Sequence, residues 1–128
     1  SVMIHDFIDS VMKQYRVPKL KMTIDSAEGA LRNQYFRDYG ERWHPVAKKK
    51  NQTMIDMVIS LLAEGRFYYL DTENNKVFIE EHKMYRYDDK TINTDDPKVI
   101  KEDDHTCDTS QYFVLDNAKI LGLRVGNT

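Results

Sequence analysis

The chain has 128 residues, 41% hydrophobic and 31% charged, with a formal charge of −2. That suits one domain with its own core, argues against disorder, and excludes a protein that holds nucleic acid by overall charge. One cysteine, Cys107, excludes an internal disulfide and a cysteine-rich zinc site and fits a reducing cytoplasm; no apolar run reaches membrane-spanning length, and the N-terminus lacks a signal pattern.

Val2, Met3, Phe7, Ile8, Val11, Met12 and Tyr15 recur at helical spacing, which predicts an amphipathic helix over 2–15. Pro18 bars its continuation. Leu20, Met22 and Ile24 alternate with Lys21, Thr23 and Asp25, the period of a strand with Asp25 at its carboxyl end. Asp25-Ser26-Ala27-Glu28 has the form of a capping box for a helix that Gly40 stops. A short strand, Trp43–Val46, leads to Lys48, Lys49 and Lys50. Met54, Ile55, Val58, Leu61 and Leu62 predict a helix ending at Gly65, followed by a strand at Phe67–Leu70 with Asp71 at its exit. Val77, Phe78, Glu81, Met84 and Tyr85 share a helical face. Residues 88–103 predict a polar loop, Asp104 to Asn117 the last helix, and Ile120–Val125 a terminal strand. This alternation predicts an α/β class with a largely parallel sheet, in which ligands gather at the carboxyl ends of strands. Neither repeats nor an internal linker suggest a second domain.

Asp103-Asp104-His105-Thr106-Cys107-Asp108 is the most telling run. So many polar groups at a helix start repel one another unless a cation or substrate uses them. Asp108 stands four residues after Asp104 and three after His105, so all can lean toward one point, as carboxylate and imidazole do around a hard divalent cation. Such a cluster calls for a further carboxylate, and Asp25 is the best candidate.

Blander readings accompany each of these. Asp25 serves equally as a helix N-cap, which leaves one oxygen for other use. The helix dipole explains Asp103 and Asp104, though neither His105 nor the repeated acid at Asp108. Glu81, on an apolar stripe, reads as a structural anchor. The lysines at 48–50 read as a solvated patch placed where a phosphate backbone could be met. His44 and His82 lack ligand spacing, and the chain has neither a glycine-rich phosphate loop nor a Gly-x-Ser-x-Gly elbow.

The order of these pieces is distinctive: Ile24-Asp25-Ser26-Ala27-Glu28, then His44-Pro45-Val46-Ala47-Lys48, the helix at Met54–Leu62, Phe67–Leu70, and the Glu81, Tyr85, Tyr87 pattern. Asp-His-x-x-Asp at Asp104–Asp108, running into Gln111-Tyr112, closes it. Over residues 2–117 the chain resembles the C-terminal nuclease domain of the large terminase subunit of tailed bacteriophages. The resemblance implies a ribonuclease H-like fold, with a mixed or parallel sheet flanked by helices, in residues 1–128. It also implies an endonuclease that cuts concatemeric phage DNA with two Mg²⁺ or Mn²⁺ ions in the bacterial cytoplasm. Its partners would be double-stranded DNA, the portal protein and the small terminase subunit. Asp25 and Asp108 then correspond to two of the family's acidic residues, His105 to a ligand or positioning group, and Asp104 to an outer or alternative ligand; Lys48, Lys49 and Lys50 would hold flanking phosphates. The family's first catalytic aspartate stands on an initial strand, whereas this chain begins at the helix after it, so a partial version of the fold is expected. Its exposed sheet edge would invite pairing with a second copy. A non-enzymatic packaging module that docks DNA, portal or ATPase stays open, as does a resolvase- or transposase-like nuclease.

Overall fold

The computed structural model describes residues 1–124. They form two units, one running from Ser1 to Ala47 and the other beginning at Lys48.

In the first unit, helix α1 spans Val2–Tyr15, strand β1 Thr23–Asp25, helix α2 Gly29–Tyr39 and strand β2 His44–Val46. The strands are parallel, pairing Thr23 with His44, Ile24 with Pro45 and Asp25 with Val46. Parallel neighbours need a crossover, and α2 provides it. Arg16, left-handed, ends α1 by donating its N–H to the Met12 carbonyl; Gly40, at φ 69°, ends α2 by donating to that of Phe36. The core is Ile24, Tyr35 and Trp43, with Ile4 and Ile8 from α1 and Leu31 and Tyr39 from α2 packed against it. The Tyr35 ring lies 4.4 Å from that of Trp43 and 4.9 Å from that of Tyr39. The predicted elements are present here, with one local correction. Asp25–Glu28 is no capping box: the helix begins at Gly29, and the Asp25 side chain accepts from the Ala27 N–H at 3.0 Å within a tight turn.

In the second unit, helices α3 (Asn51–Ala63), α4 (Lys76–Met84), α5 (His105–Asp116) and α6 (Ala118–Leu121) are joined by loops that include short 3₁₀ turns at Glu73–Asn75 and Asp89–Thr91. Both α3 and α4 pack on α5. Met57, Val58 and Leu61 of α3 meet Val114 of α5 and Ala118 of α6 in the core. The polar segment predicted as loop holds one antiparallel bridge, Tyr87 to Val99.

Two predicted strands are absent among the described residues. Phe67–Leu70 has no regular secondary structure and no neighbouring strand among the described residues. Phe67 instead packs against the helical core, and the Leu70 carbonyl accepts from Thr72 N–H and from Asn75 Nδ2. Ile120–Leu121 belongs to α6, whose end is set by Gly122 in the left-handed region at φ 70°; the packing of Ala118 and Leu121 on the core decides for helix. Val125, the last residue of that predicted strand, lies outside the described residues. No helix among the described residues is long and apolar enough to cross a membrane.

Candidate functional site

The start of α5 gathers the most concentrated chemistry. Asp103 takes a left-handed conformation, φ 49°, that turns the chain into the helix. Asp104 then occupies the N-cap position, yet its side chain caps nothing. Glu81, reaching across from α4, does that work: one of its carboxylate oxygens accepts from the Thr106 N–H at 2.9 Å and from the Thr106 hydroxyl at 2.6 Å. One orphan donor of the helix end is thereby satisfied from outside. Asp104, buried at 6% exposure, is left to pair with the ammonium of Lys101. Asp108 lies one turn further on, its Oδ2 3.1 Å and its Oδ1 3.4 Å from the same nitrogen. Burial works against the charge on Lys101, but the two carboxylates outweigh it and hold its pKa above the ordinary lysine range.

Glu81 is the structural anchor its position on the apolar stripe suggested. The hydrogen bonds from the Thr106 side chain and backbone hold its pKa below the ordinary glutamate value; the charge of His105 helps, while burial and Asp104 oppose. A carboxyl with a depressed folded pKa stabilises the fold above its unfolded value, and that contribution fades as the pH falls through the folded value. Glu81→Gln is therefore expected to lower the melting temperature at neutral pH and to flatten the loss of stability below about pH 4.3, the unfolded glutamate value. Thermal unfolding of both proteins across the acid range checks this. Parallel curves would refute it.

Of the predicted site residues, Asp104 and Asp108 are brought together, with a lysine between them. His105 is exposed at the first position of α5, and its ring has no hydrogen-bond partner among the described residues. Asp25 ends β1, at the carboxyl edge of the parallel pair in the first unit. Lys48 and Lys50 are exposed and Lys49 half-buried at the start of the second unit, with Lys50 immediately before α3.

Lys101 was missed by sequence reasoning. Its spacing, three residues before Asp104 and seven before Asp108, carried a signal, but it lay in a segment read as loop. Elsewhere in this unit, His82 places Nδ1 2.8 Å from the Phe78 carbonyl and Nε2 3.2 Å from the Ser110 hydroxyl, and Gln111 donates to Tyr85 at 2.9 Å. His82, Tyr85, Ser110 and Gln111 line an apolar cavity of about 270 Å³ with Cys107, whose thiol is pushed up to about 11 by burial and by the nearby Glu81, Asp104 and Asp108 carboxylates. Such a thiol is a poor nucleophile.

Among the described residues, no group of three or more His, Cys, Asp or Glu side chains is arranged to hold a metal ion. The Asp104–Asp108 pair nevertheless fits a cation, since an ammonium already lies between the two carboxylates. Hard oxygen donors of this kind suit Mg²⁺ or Mn²⁺, and Mg²⁺ in particular is commonly held by one or two carboxylates while keeping its own waters.

Residues 1–116 match the family model described as the terminase RNase H-like domain. Among solved structures, the chain is similar to the large terminase of the thermophilic bacteriophage D6E. The identity is 20% and the TM-score 0.69, over 91% of this chain and 28% of that one. The chain thus spans under a third of that protein's length, and the likeness at this identity is one of fold. No curated protein matches. With the family model covering nine-tenths of the sequence, the chain belongs to the terminase RNase H-like domain family.

Proposed function

We propose that this chain is the nuclease domain of a DNA-packaging terminase large subunit, a metal-dependent endonuclease acting on double-stranded DNA. The observation that carries this reading is the pair Asp104 and Asp108, held around a single cation position at the start of α5 in a chain of this family. In the proposal, Asp108 and Asp104 bind a divalent ion in place of the Lys101 ammonium. His105, exposed one residue after Asp104, orients water or joins the ligands. Asp25 acts as the family's second acidic residue, by its place at the end of β1. Lys48, Lys49 and Lys50 hold phosphates flanking the cut. Two Mg²⁺ or Mn²⁺ ions, when bound, polarise a phosphodiester and lower the pKa of water. The chain's own part is to bind them, to align the strand and to leave one water unhindered. Portal protein and small terminase subunit are the proposed partners, in the cytoplasm of the bacterial host.

The test is cleavage of plasmid DNA with Mn²⁺ by this chain, and by any longer protein that contains it, alongside direct Mn²⁺ binding. Loss of both in Asp108→Ala, and loss of cleavage in Asp25→Ala, is expected. Undiminished cutting by either variant overturns the assignment of that residue.

One observation favours a second reading. The carboxylate pair already has a shared counter-charge in Lys101, which offsets half of its charge without a metal, as a docking module would need. Such a module would show no Mn²⁺ binding that depends on Asp108.

A further inference from the structure

The first unit has a cleft of about 420 Å³ whose lining includes Arg32, Asn33 and Phe36 from α2 and Arg42, Trp43 and His44 from the turn into β2. Arg32 and Phe36 are four residues apart, so they share a face of α2. The left-handed turn at Gly40 folds the chain back along that face, placing the Arg42 guanidinium 4.0 Å from the centroid of the Phe36 ring. Stacking of this kind fixes a guanidinium in place and leaves its in-plane donors free to point outward. No carboxylate lines the cleft, and neither Arg32 nor Arg42 forms an ion pair among the described residues. Trp43 walls the cleft from below: it is 7% exposed, and its indole N–H is buried without a hydrogen-bond partner among the described residues. Two cations, one of them fixed by stacking, and an amide on one concave surface suit a ligand that is anionic and rich in acceptor oxygens.

We infer that this cleft binds the phosphodiester backbone of DNA, Arg32 and Arg42 each contacting a phosphate. The inference rests on the nuclease reading for the identity of the polyanion. In a chain with a net charge of −2, backbone contact depends on local cationic surfaces. Arginine suits the task better than the flexible Lys48–Lys50 run, because its planar fork matches phosphate geometry with two donors.

The experiment is fluorescence anisotropy of a labelled duplex with the whole chain, in EDTA so that the acidic pair plays no part, across a salt series. Arg32→Gln and Arg42→Gln are each expected to weaken binding by roughly 3- to 10-fold and to reduce the salt slope by about 1. Arg37→Gln, an exposed position on α2 outside the cleft, serves as the control and should bind as the parent does. Arg42→Lys, which keeps the charge but loses the fork and the stack, should fall between. Should Arg42→Gln fail to fold, Arg32→Gln decides alone, with unfolding curves confirming its fold. Parent-like binding by the cleft variants overturns the inference, as does absence of salt-dependent binding by the parent. Inorganic phosphate at millimolar concentration and constant ionic strength is expected to leave the duplex bound. Displacement that requires Arg32 and Arg42 would instead assign the cleft to free phosphate. Failure here is separable from failure of the nuclease reading: Asp108→Ala should keep duplex binding in EDTA while losing metal-dependent cutting.

Discussion

Asp108→Ala is expected to remove Mn²⁺ binding and to cut DNA cleavage by roughly a hundredfold or more, whereas Lys101→Met strengthens Mn²⁺ binding and weakens the metal-free protein. The first follows from the donor count. Asp104 and Asp108 are the two carboxylates that face the cation position, and one alone makes a weak site. Loss of an outer partner of a metal ligand already costs about 10- to 100-fold, and loss of a ligand exceeds that. The second follows from competition. A divalent ion that binds between Asp104 and Asp108 must displace the ammonium now within 3.1 Å of Asp108. With methionine at 101 that competition ends, and affinity should rise about 3- to 10-fold. The metal-free protein suffers because the Asp104 side chain, at 8% exposure, loses its counter-charge. Breaking a fully buried pair costs about 3–5 kcal/mol. The Lys101 side chain is half exposed, so solvent screening brings the expected loss nearer 1–3 kcal/mol. Millimolar Mn²⁺ should restore much of it, since a ligand that binds only the folded state stabilises it by mass action. Melting curves of parent, Asp108→Ala and Lys101→Met, with and without Mn²⁺, resolve these effects. A Lys101→Met protein that is destabilised but indifferent to Mn²⁺ would leave the docking-module reading in possession.

The same cluster shows how far the sequence could be read. Helices α1 to α5 were legible because each carries an apolar stripe or a clear terminal signal, such as Gly40 after α2. The parallel pair was legible because Leu20 to Asp25 alternates. The strand at Phe67–Leu70 was misread because a short aromatic run looks the same whether it pairs with a neighbouring strand or only packs sideways against helices; periodicity does not contain the partner. The crowding at Asp103–Asp108 pointed to a cation or a substrate. Sequence suggested a metal, and the structure places the Lys101 ammonium there; its spacing to Asp104 and Asp108 was a weak signal inside a segment read as loop. Asp25 could be placed at a strand end, yet its capping role could not be told from a tight turn. The distinction depends on where α2 begins, and helix ends are the least certain part of any such reading. The cleft at Arg32 and Arg42 left no motif, since it is made by a helix face and the turn that follows it.

Tyr35→Ala is expected to destabilise the first unit by about 3–5 kcal/mol, a large share of the stability of a small domain. Tyr35 is fully buried, at 0% exposure, with its ring against those of Trp43 and Tyr39, and it lies in the same small core as Ile24. Truncation to alanine removes most of that aromatic contact and leaves a cavity that three short elements cannot refill. The hydroxyl behaves differently from the ring. It is buried without a hydrogen-bond partner among the described residues, and burial raises its pKa above the ordinary tyrosine value. Losing a polar group in that state removes a desolvation cost along with it, so Tyr35→Phe should be neutral or slightly stabilising. Trp43 is the chain's single tryptophan and packs against this ring at a tilt of 37°, so its fluorescence during urea unfolding reports the first unit directly. The functional consequence follows from position. Tyr35 anchors the face of α2 beside Phe36, and through Ile24 it supports the strand that ends in Asp25. Tyr35→Ala should therefore lose duplex binding in EDTA together with the tryptophan signal of the folded state, whereas Tyr35→Phe keeps both. A stable Tyr35→Ala protein with parent-like fluorescence would show that this core does not hold the cleft in shape.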